Sequence, residues 1–114
     1  MKQLNHVFGV KGETEAKEYL IKKGYSILET NYTTKIGEID IIAKKDDFVV
    51  FVEVKNRSSN RFGMPREAVT PYKQNKIRKV ALMYITKNHL TNSRLRFDCV
   101  EILDEKITHI ENAF

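Results

Sequence analysis

The sequence predicts an α/β fold in which a single mixed β-sheet is flanked by helices, in the order α-β-β-β-α-β with one further edge strand. Alternating apolar and charged residues from 37 to 55 predict two strands, and apolar positions on both of their faces are typical of a sheet covered by helices. Helical periodicity precedes this stretch and follows it. A length of 114 residues suits one domain, so residues 1–114 are interpreted as a single unit.

The first helix is predicted over residues 12–24. Ala16 and Leu20 recur at helical spacing, and Gly24 suits a left-handed C-terminal cap. Glu13 projects from the apolar face of this helix. Such an acid either interacts with the helix macrodipole or is aimed across the sheet.

A first strand is predicted over residues 25–33, and a central hairpin with a two-residue turn at Asp46 and Asp47 follows it. This turn makes the numbers of facing residues sum to 93, which sets Asp40 opposite Glu53, with Lys55 on the same face. The other face is predicted to be core and consists of Ile39, Ile41, Ala43, Val50, Val52 and Val54.

A polar, basic loop is predicted after the hairpin and contains Arg57, Arg61 and Arg66. Its position next to the charged end of the hairpin would let these arginines grip a phosphate backbone. An ordinary solvated loop in a basic protein has the same composition.

The second helix is predicted to begin at Thr70 and Pro71, because a hydroxyl N-cap followed by proline is a strong start signal, and to end near residue 88. Lys73 lies one turn before its buried stripe, so it is either aimed inward or extends past the core edge. The predicted buried stripe consists of Ile77, Val80, Ala81, Tyr84 and Ile85. A strand over residues 95–103, a turn at 104–105 and an edge strand over 106–111 complete the chain.

The composition favours an anionic partner without requiring one, since the formal net charge is +5 and the pI is about 9.3. The single cysteine, Cys99, excludes an intrachain disulfide and is predicted to be a buried apolar residue. The N-terminus has no long apolar run, so neither a signal peptide nor a membrane span is predicted. A cytoplasmic location is the expectation.

Asp40 and Glu53 carry the chemical interest of the hairpin, because two facing carboxylates repel each other in a sheet. A divalent cation between them would remove the repulsion, and oxygen ligands of this kind suit Mg²⁺ or Mn²⁺. Lys55 could then orient or deprotonate an attacking water, as metal-assisted phosphodiester hydrolysis requires. The alternative is a solvated ladder in which lysines simply neutralise the acids.

Five short motifs stand in order along nearly the whole chain: GE at 12, GEID at 37, FVEVK at 51, FGxP at 62 and RFD at 96. This combination resembles the YraN family. That family is similar to the restriction-endonuclease-like PD-(D/E)XK nucleases and, within them, to the archaeal Holliday junction resolvases. The resemblance implies a restriction-endonuclease-like core.

The resemblance also implies roles for individual residues. Asp40 and Glu53 would be the metal-binding acids, and the backbone carbonyl of Val54 would be a further ligand. Lys55 would handle the attacking water, and Glu13 would be the helix-borne acid near the metal.

Lys73 would correspond to the basic residue that the following helix lends to the site. Two positions depart from the family patterns. Ile39 stands where the motif's name has proline, and Thr33 stands where YraN relatives often carry arginine, so one phosphate contact that the resemblance implies is not expected from Thr33.

The predicted function is a nuclease that uses Mg²⁺ or Mn²⁺ to hydrolyse phosphodiester bonds in DNA, with branched or damaged duplex as one option. Arg57, Arg61, Arg66 and Lys73 are the predicted phosphate contacts. One alternative is a nucleic-acid-binding module that does not cut, and another is a structural or partner-docking domain. The oligomeric state is left open, with a homodimer as one option.

Overall fold

A computed structural model describes the backbone of residues 2–57 and 69–114 and the side chains of residues 12–56 and 69–114. Arg61 and Arg66 lie outside the described residues, as does the side chain of Arg57. The elements are α1 (Lys2–Lys22), β1 (Ser26–Thr33), β2 (Glu38–Lys45), β3 (Phe48–Arg57), α2 (Pro71–Lys87), β4 (Arg94–Leu103) and β5 (Lys106–Ile110).

The five strands form one mixed sheet in the order β1-β2-β3-β4-β5. Neighbouring strands are antiparallel except β3 and β4, which are parallel because α2 carries the chain back across the sheet between them. The predicted α/β class and mixed sheet are therefore confirmed. None of the described helices is long and apolar enough to span a bilayer.

The turn-defined register of the central hairpin is confirmed from Lys45–Phe48 to Ile41–Val52. The turn is tight because Asp46 adopts a left-handed conformation with φ 56°. The turn of the last hairpin also uses left-handed backbone conformations, since Asp104 and Glu105 have φ 48° and 70°. These two turns fix which side chains of the hairpins face each helix.

Each face of the sheet is covered by one helix. α1 covers the face that includes Ile41, Val50 and Val100. The core beneath α2 includes Ile42 and Phe51. The predicted buried stripe of α2 is confirmed, since Ile77, Val80, Ala81, Tyr84 and Ile85 are all buried.

The placement of Ile39 on the face of Ile41 was wrong, because Ile39 packs in the cluster beneath α2 with Ile42. The regular pairing of β2 with β3 ends at Ile41–Val52. Strict alternation of side chains fails where the two strands stop pairing. Asp40 lies at this irregular point.

The predicted start of the first helix at Gly12 was also wrong, because α1 begins at Lys2. Gly12 lies within α1 where this helix approaches β3, and a Cβ there would be only 2.7 Å from Nδ2 and 2.9 Å from Cβ of Asn56. The glycine therefore allows a close helix–strand contact rather than marking the start of the helix.

The C-terminus of α1 agrees with the prediction. Gly24 has φ 94°, its N–H donates to the Ile21 carbonyl at 3.0 Å, and the Tyr25 N–H donates to the Leu20 carbonyl at 3.0 Å. This is a Schellman cap.

The N-terminus of α2 also follows its sequence signals. The Thr70 hydroxyl accepts a hydrogen bond from the N–H of Lys73 at 3.2 Å, and Pro71 occupies the first turn. The cap thereby fixes the first turn of α2 directly beside the end of the central hairpin.

Candidate active site

β2 and β3 fork at the end of the hairpin away from their turn. Their last regular pair is Ile41–Val52, and beyond it the N–H of Val54 donates to Oδ2 of Asp40 at 2.8 Å. The Asp40 side chain thus bridges the fork and accepts a main-chain hydrogen bond. This contact fixes the carboxylate between the two strands.

Glu53 is the anionic centre of a lysine pair. Only 5% of the residue is exposed, and its Oε1 lies 2.6 Å from Nζ of Lys73 and 3.3 Å from Nζ of Lys55. Lys55 is contributed by the same strand, whereas Lys73 is contributed by the first turn of α2. The crossover through α2 therefore completes the cluster.

Asp40 has an unusual electrostatic environment. Burial, with added repulsion from Glu53 and Glu13, raises the pKa of Asp40 to about 7, against opposing contributions from the Val54 N–H and Lys73. Glu13 is half-buried on α1, so both helices bring charge to Asp40. Among the described residues, the positive charge around the Asp40 carboxylate does not offset its burial and the neighbouring acids.

The two lysines differ in how firmly they hold their protons. Burial and the neighbouring charge of Lys73 lower the pKa of Lys55, although Glu53 opposes this. Burial would also lower the pKa of Lys73, but its hydrogen bond and ion pair with Glu53 outweigh burial and raise it. Lys55 is therefore the lysine that loses a proton more readily.

A cavity of about 430 Å³ opens between the fork and the start of α2. Asp40, Glu53 and Lys73 all line it, so solvent and small groups reach the acids. Its other lining residues are Gly37, Glu38, Thr70, Tyr72, Lys76 and Ile77. This volume is ample for one phosphate with part of a nucleotide.

The donor atoms at the fork suit a hard divalent cation. Asp40, Glu53 and the carbonyl of Val54 would supply oxygen ligands, the type that Mg²⁺ and Mn²⁺ prefer. Among the described side chains, no group of three or more His, Cys, Asp or Glu is arranged to hold a metal. Mg²⁺ commonly binds through one or two carboxylates and keeps several waters, so two acids are enough.

Glu101 is a buried acid that the sequence did not single out. It lies beside Lys55 in the parallel register of β3 and β4, with 7% of the residue exposed. Its Oε1 is buried and has no hydrogen-bond partner within the described part of the chain. Only the register between two strands that are distant in sequence reveals this position.

Of the four predicted phosphate contacts, the structure describes the side chain of Lys73 only. Lys73 is at the cavity, but its ammonium is paired with Glu53. The side chain of Arg57, together with Arg61 and Arg66, falls outside the described residues.

Cys99 is fully buried as predicted, and burial raises the pKa of its thiol to about 12.

The fold and the forked hairpin define an α/β protein with a restriction-endonuclease-like core. The sequence profile of the Uncharacterised protein family UPF0102, the YraN family, matches residues 12–102. The chain belongs to this family.

Three relatives illustrate how fully the similarity extends. A UPF0102 protein of Clostridioides difficile strain 630 is 54% identical over 105 residues, which cover 90% of this chain and 92% of the relative. A UPF0102 protein from Syntrophomonas wolfei is 49% identical over 115 residues, which cover 97% of this chain and 100% of the relative. A third, from Thermodesulfovibrio yellowstonii, is 51% identical over 106 residues, which cover 93% of this chain and 94% of the relative.

Proposed function

We propose that the protein is a metal-dependent nuclease that hydrolyses phosphodiester bonds in DNA. The observation that carries the proposal is the pair of carboxylates, Asp40 and Glu53, that share one open cavity at the fork with Lys73 beside them. Burying two acids together is costly unless a positive group binds between them. A catalytic cation would meet this need.

Asp40, Glu53 and the Val54 carbonyl would hold Mg²⁺ or Mn²⁺, which supplies Lewis acidity toward a phosphate oxygen when bound. The Val54 N–H already orients Asp40. Oε1 of Glu53 is paired with the ammonium of Lys73 at 2.6 Å, so a cation would bind through Oε2 or would displace Lys73. Lys73 lines the cavity, where its ammonium would contact the phosphate.

Lys55 is the residue assigned to the attacking water. Its lowered pKa makes the neutral amine more accessible than in an ordinary lysine, and only this form can accept a proton from the water. After transfer, the proton is on Nζ, and the resulting ammonium is stabilised by Glu53. Glu13 approaches Asp40 from α1 and is assigned to the waters around the acids.

The rival is a domain of the same fold that does not cut, either a nucleic-acid-binding module or a structural or partner-docking domain. One observation favours it: Glu53 is already paired with two ammonium groups, which is how a satisfied ion network looks. The nuclease requires that a divalent cation binds at Asp40 and Glu53, whereas the rival does not.

The test is calorimetric titration of Mg²⁺ and Mn²⁺ into the wild type and Asp40→Asn. Asp47→Asn is the matched control, because Asp47 is an exposed acid at the opposite end of the same hairpin. The proposal expects saturable binding in the wild type and Asp47→Asn and its loss in Asp40→Asn.

Labelled duplex, branched and single-stranded DNA would then be incubated with the metal or with EDTA. Metal-dependent cleavage supports the nuclease. Salt-sensitive binding without cleavage supports the binding module. An absence of both binding and cleavage contradicts the nuclease and the binding module and supports the structural or partner-docking domain.

A further inference from the structure

Tyr72 is a large aromatic residue that the proposed chemistry leaves without a role. It lies in the first turn of α2, 70% of it is exposed, and it lines the same cavity as Asp40 and Glu53. A single exposed aromatic residue is ordinary on a protein surface. Its position beside Asp40 and Glu53 in the same cavity makes it a candidate for binding a ligand.

Lys76 lies one helical turn after Tyr72 and contacts its ring. Nζ of Lys76 is 4.6 Å from the ring centroid, a distance at which the ammonium is attracted to the aromatic face. Lys76 also lines the cavity. The contact holds the tyrosine ring next to a positive charge and leaves most of its surface open to solvent.

An open aromatic ring beside an ammonium has the chemistry that recognises a nucleotide. A nucleobase stacks on such a ring, and the ammonium binds the adjoining phosphate. A base within a duplex has both faces covered by its neighbours, so it cannot stack on a protein side chain without leaving the helix. The ring therefore discriminates in favour of unpaired nucleotides.

We infer that Tyr72 and Lys76 form a subsite for an unpaired nucleotide, next to the place where a phosphate meets Asp40 and Glu53. The substrate class is a single strand, or the single-stranded part of a branched nucleic acid. This inference rests on the proposed function for the identity of the ligand. Binding at the subsite itself needs no metal, so it is testable apart from cleavage.

The chain has no tryptophan, which gives a direct optical test. Tyr72→Trp introduces one fluorophore at the subsite, and a stacked base quenches tryptophan emission. Ile21→Trp is the matched control, because Ile21 is 50% exposed on α1, the helix on the opposite face of the sheet. Both variants would be titrated in EDTA with a short single-stranded DNA, a wholly abasic strand of the same length, and a duplex.

The expected result is saturable quenching of Tyr72→Trp by the single strand, with much weaker quenching by the abasic strand and the duplex. Ile21→Trp is expected to show no saturable quenching. Equal quenching by the intact and the abasic strand would overturn the inference, since stacking requires the base. An absence of saturable quenching in Tyr72→Trp would overturn it as well.

Affinity measurements on unlabelled variants complete the test. Tyr72→Ala is expected to weaken single-strand binding about 5- to 100-fold, while Tyr72→Phe retains wild-type affinity because the ring remains. Lys76→Ala is expected to weaken binding of intact and abasic strands alike and to reduce the salt dependence.

Cleavage assays separate this inference from the proposed function. Stacking at Tyr72 without metal-dependent cleavage by the wild type would contradict the nuclease and leave the subsite standing. If Tyr72→Ala binds and cuts single strands as well as the wild type does, the subsite is contradicted and the nuclease is not.

Discussion

Two aspartates of the same sheet, the fully buried Asp98 and the half-buried Asp40, have opposite surroundings. Asp98 on β4 is fully buried, accepts hydrogen bonds from Arg96 at 2.8 Å and from the Asn112 N–H at 3.1 Å, and lies 2.6 Å from Nε2 of His109. Burial alone would raise the pKa of Asp98, but the contacts with His109 and Arg96 outweigh it and lower that pKa. Asp40 has the opposite balance, with a pKa raised to about 7.

The comparison separates a charge that joins parts of the fold from a charge to which we assign a function. Arg96 also contacts the Tyr25 hydroxyl and lies 3.0 Å from Glu111, so the cluster around Asp98 joins β4 to the end of the chain. The cluster around Asp40 is incomplete and opens into a cavity. A paired buried acid stabilises a fold, whereas an underpaired one is positioned for a ligand.

The largest expected effect is a loss of stability when the cluster around Asp98 is disrupted. Asp98→Ala leaves the Arg96 guanidinium buried without its main partner, and we expect unfolding free energy to fall by about 3–5 kcal/mol. Urea denaturation at neutral pH measures this. Asp40→Asn is the control and should be no less stable than the wild type. Equal losses in the two variants would remove the distinction between the clusters.

Lys55→Ala tests the role that we propose for the cluster around Asp40 and Glu53 in cleavage. Cleavage is expected to fall about a hundredfold or more, with nucleic-acid affinity nearly unchanged, because the proposed role of Lys55 is expressed in the transition state. Lys79→Ala is the control, since Lys79 is exposed on α2. Rates and dissociation constants would be measured with the same labelled DNA, and a parallel loss of binding would assign Lys55 to holding the substrate.

The pH dependence of stability gives the next effect in size. The raised pKa of Asp40 means that the folded state binds a proton more tightly than the unfolded state between about pH 4 and pH 7. The full shift corresponds to about 4 kcal/mol, and solvent screening of the half-buried carboxylate reduces this to on the order of 2 kcal/mol. Wild-type stability is therefore expected to fall by this amount, relative to Asp40→Asn, as pH rises through this window. Urea denaturation at several pH values between 4 and 8 measures the difference, and a constant difference would show that Asp40 titrates normally.

The smallest expected effect concerns how α1 reaches the site. Gly12→Ala improves helix propensity by about 1 kcal/mol but forces a methyl group against Asn56, and we expect a net loss on the order of 1 kcal/mol. The double variant Gly12→Ala/Asn56→Gly should recover part of the loss by removing the obstructing side chain. Thermal denaturation of the three proteins measures both changes, and a more stable Gly12→Ala would show that the contact adjusts freely.

Local signals in the sequence were sufficient for the hairpin and for α2. The turn at Asp46 and Asp47 sets the register that brings Ile42 opposite Phe51, and Thr70 with Pro71 fixes where α2 begins. Both signals act over a few residues, so no tertiary information is needed to interpret them.

Other parts of the site depend on contacts between distant segments. Lys73 reaches Glu53 across 20 residues, and Glu101 lies beside Lys55 through the parallel pairing of β3 and β4. The fork that moves Ile39 to the other face arises where strand pairing stops, which periodicity does not reveal. The sequence thus predicted which residues carry charge at the hairpin, and the tertiary structure determines which charges meet.

The central claim is that Asp40 carries an unmet charge that a divalent cation satisfies. The most direct measurement is a carbon-13 NMR titration of the aspartate carboxyl groups, without metal and with saturating Mg²⁺. We expect Asp40 to titrate near pH 7 without metal and Asp98 to stay ionised below its ordinary pKa, and we expect Mg²⁺ to lower the pKa of Asp40 alone. An ordinary pKa for Asp40 that Mg²⁺ leaves unchanged would contradict the account.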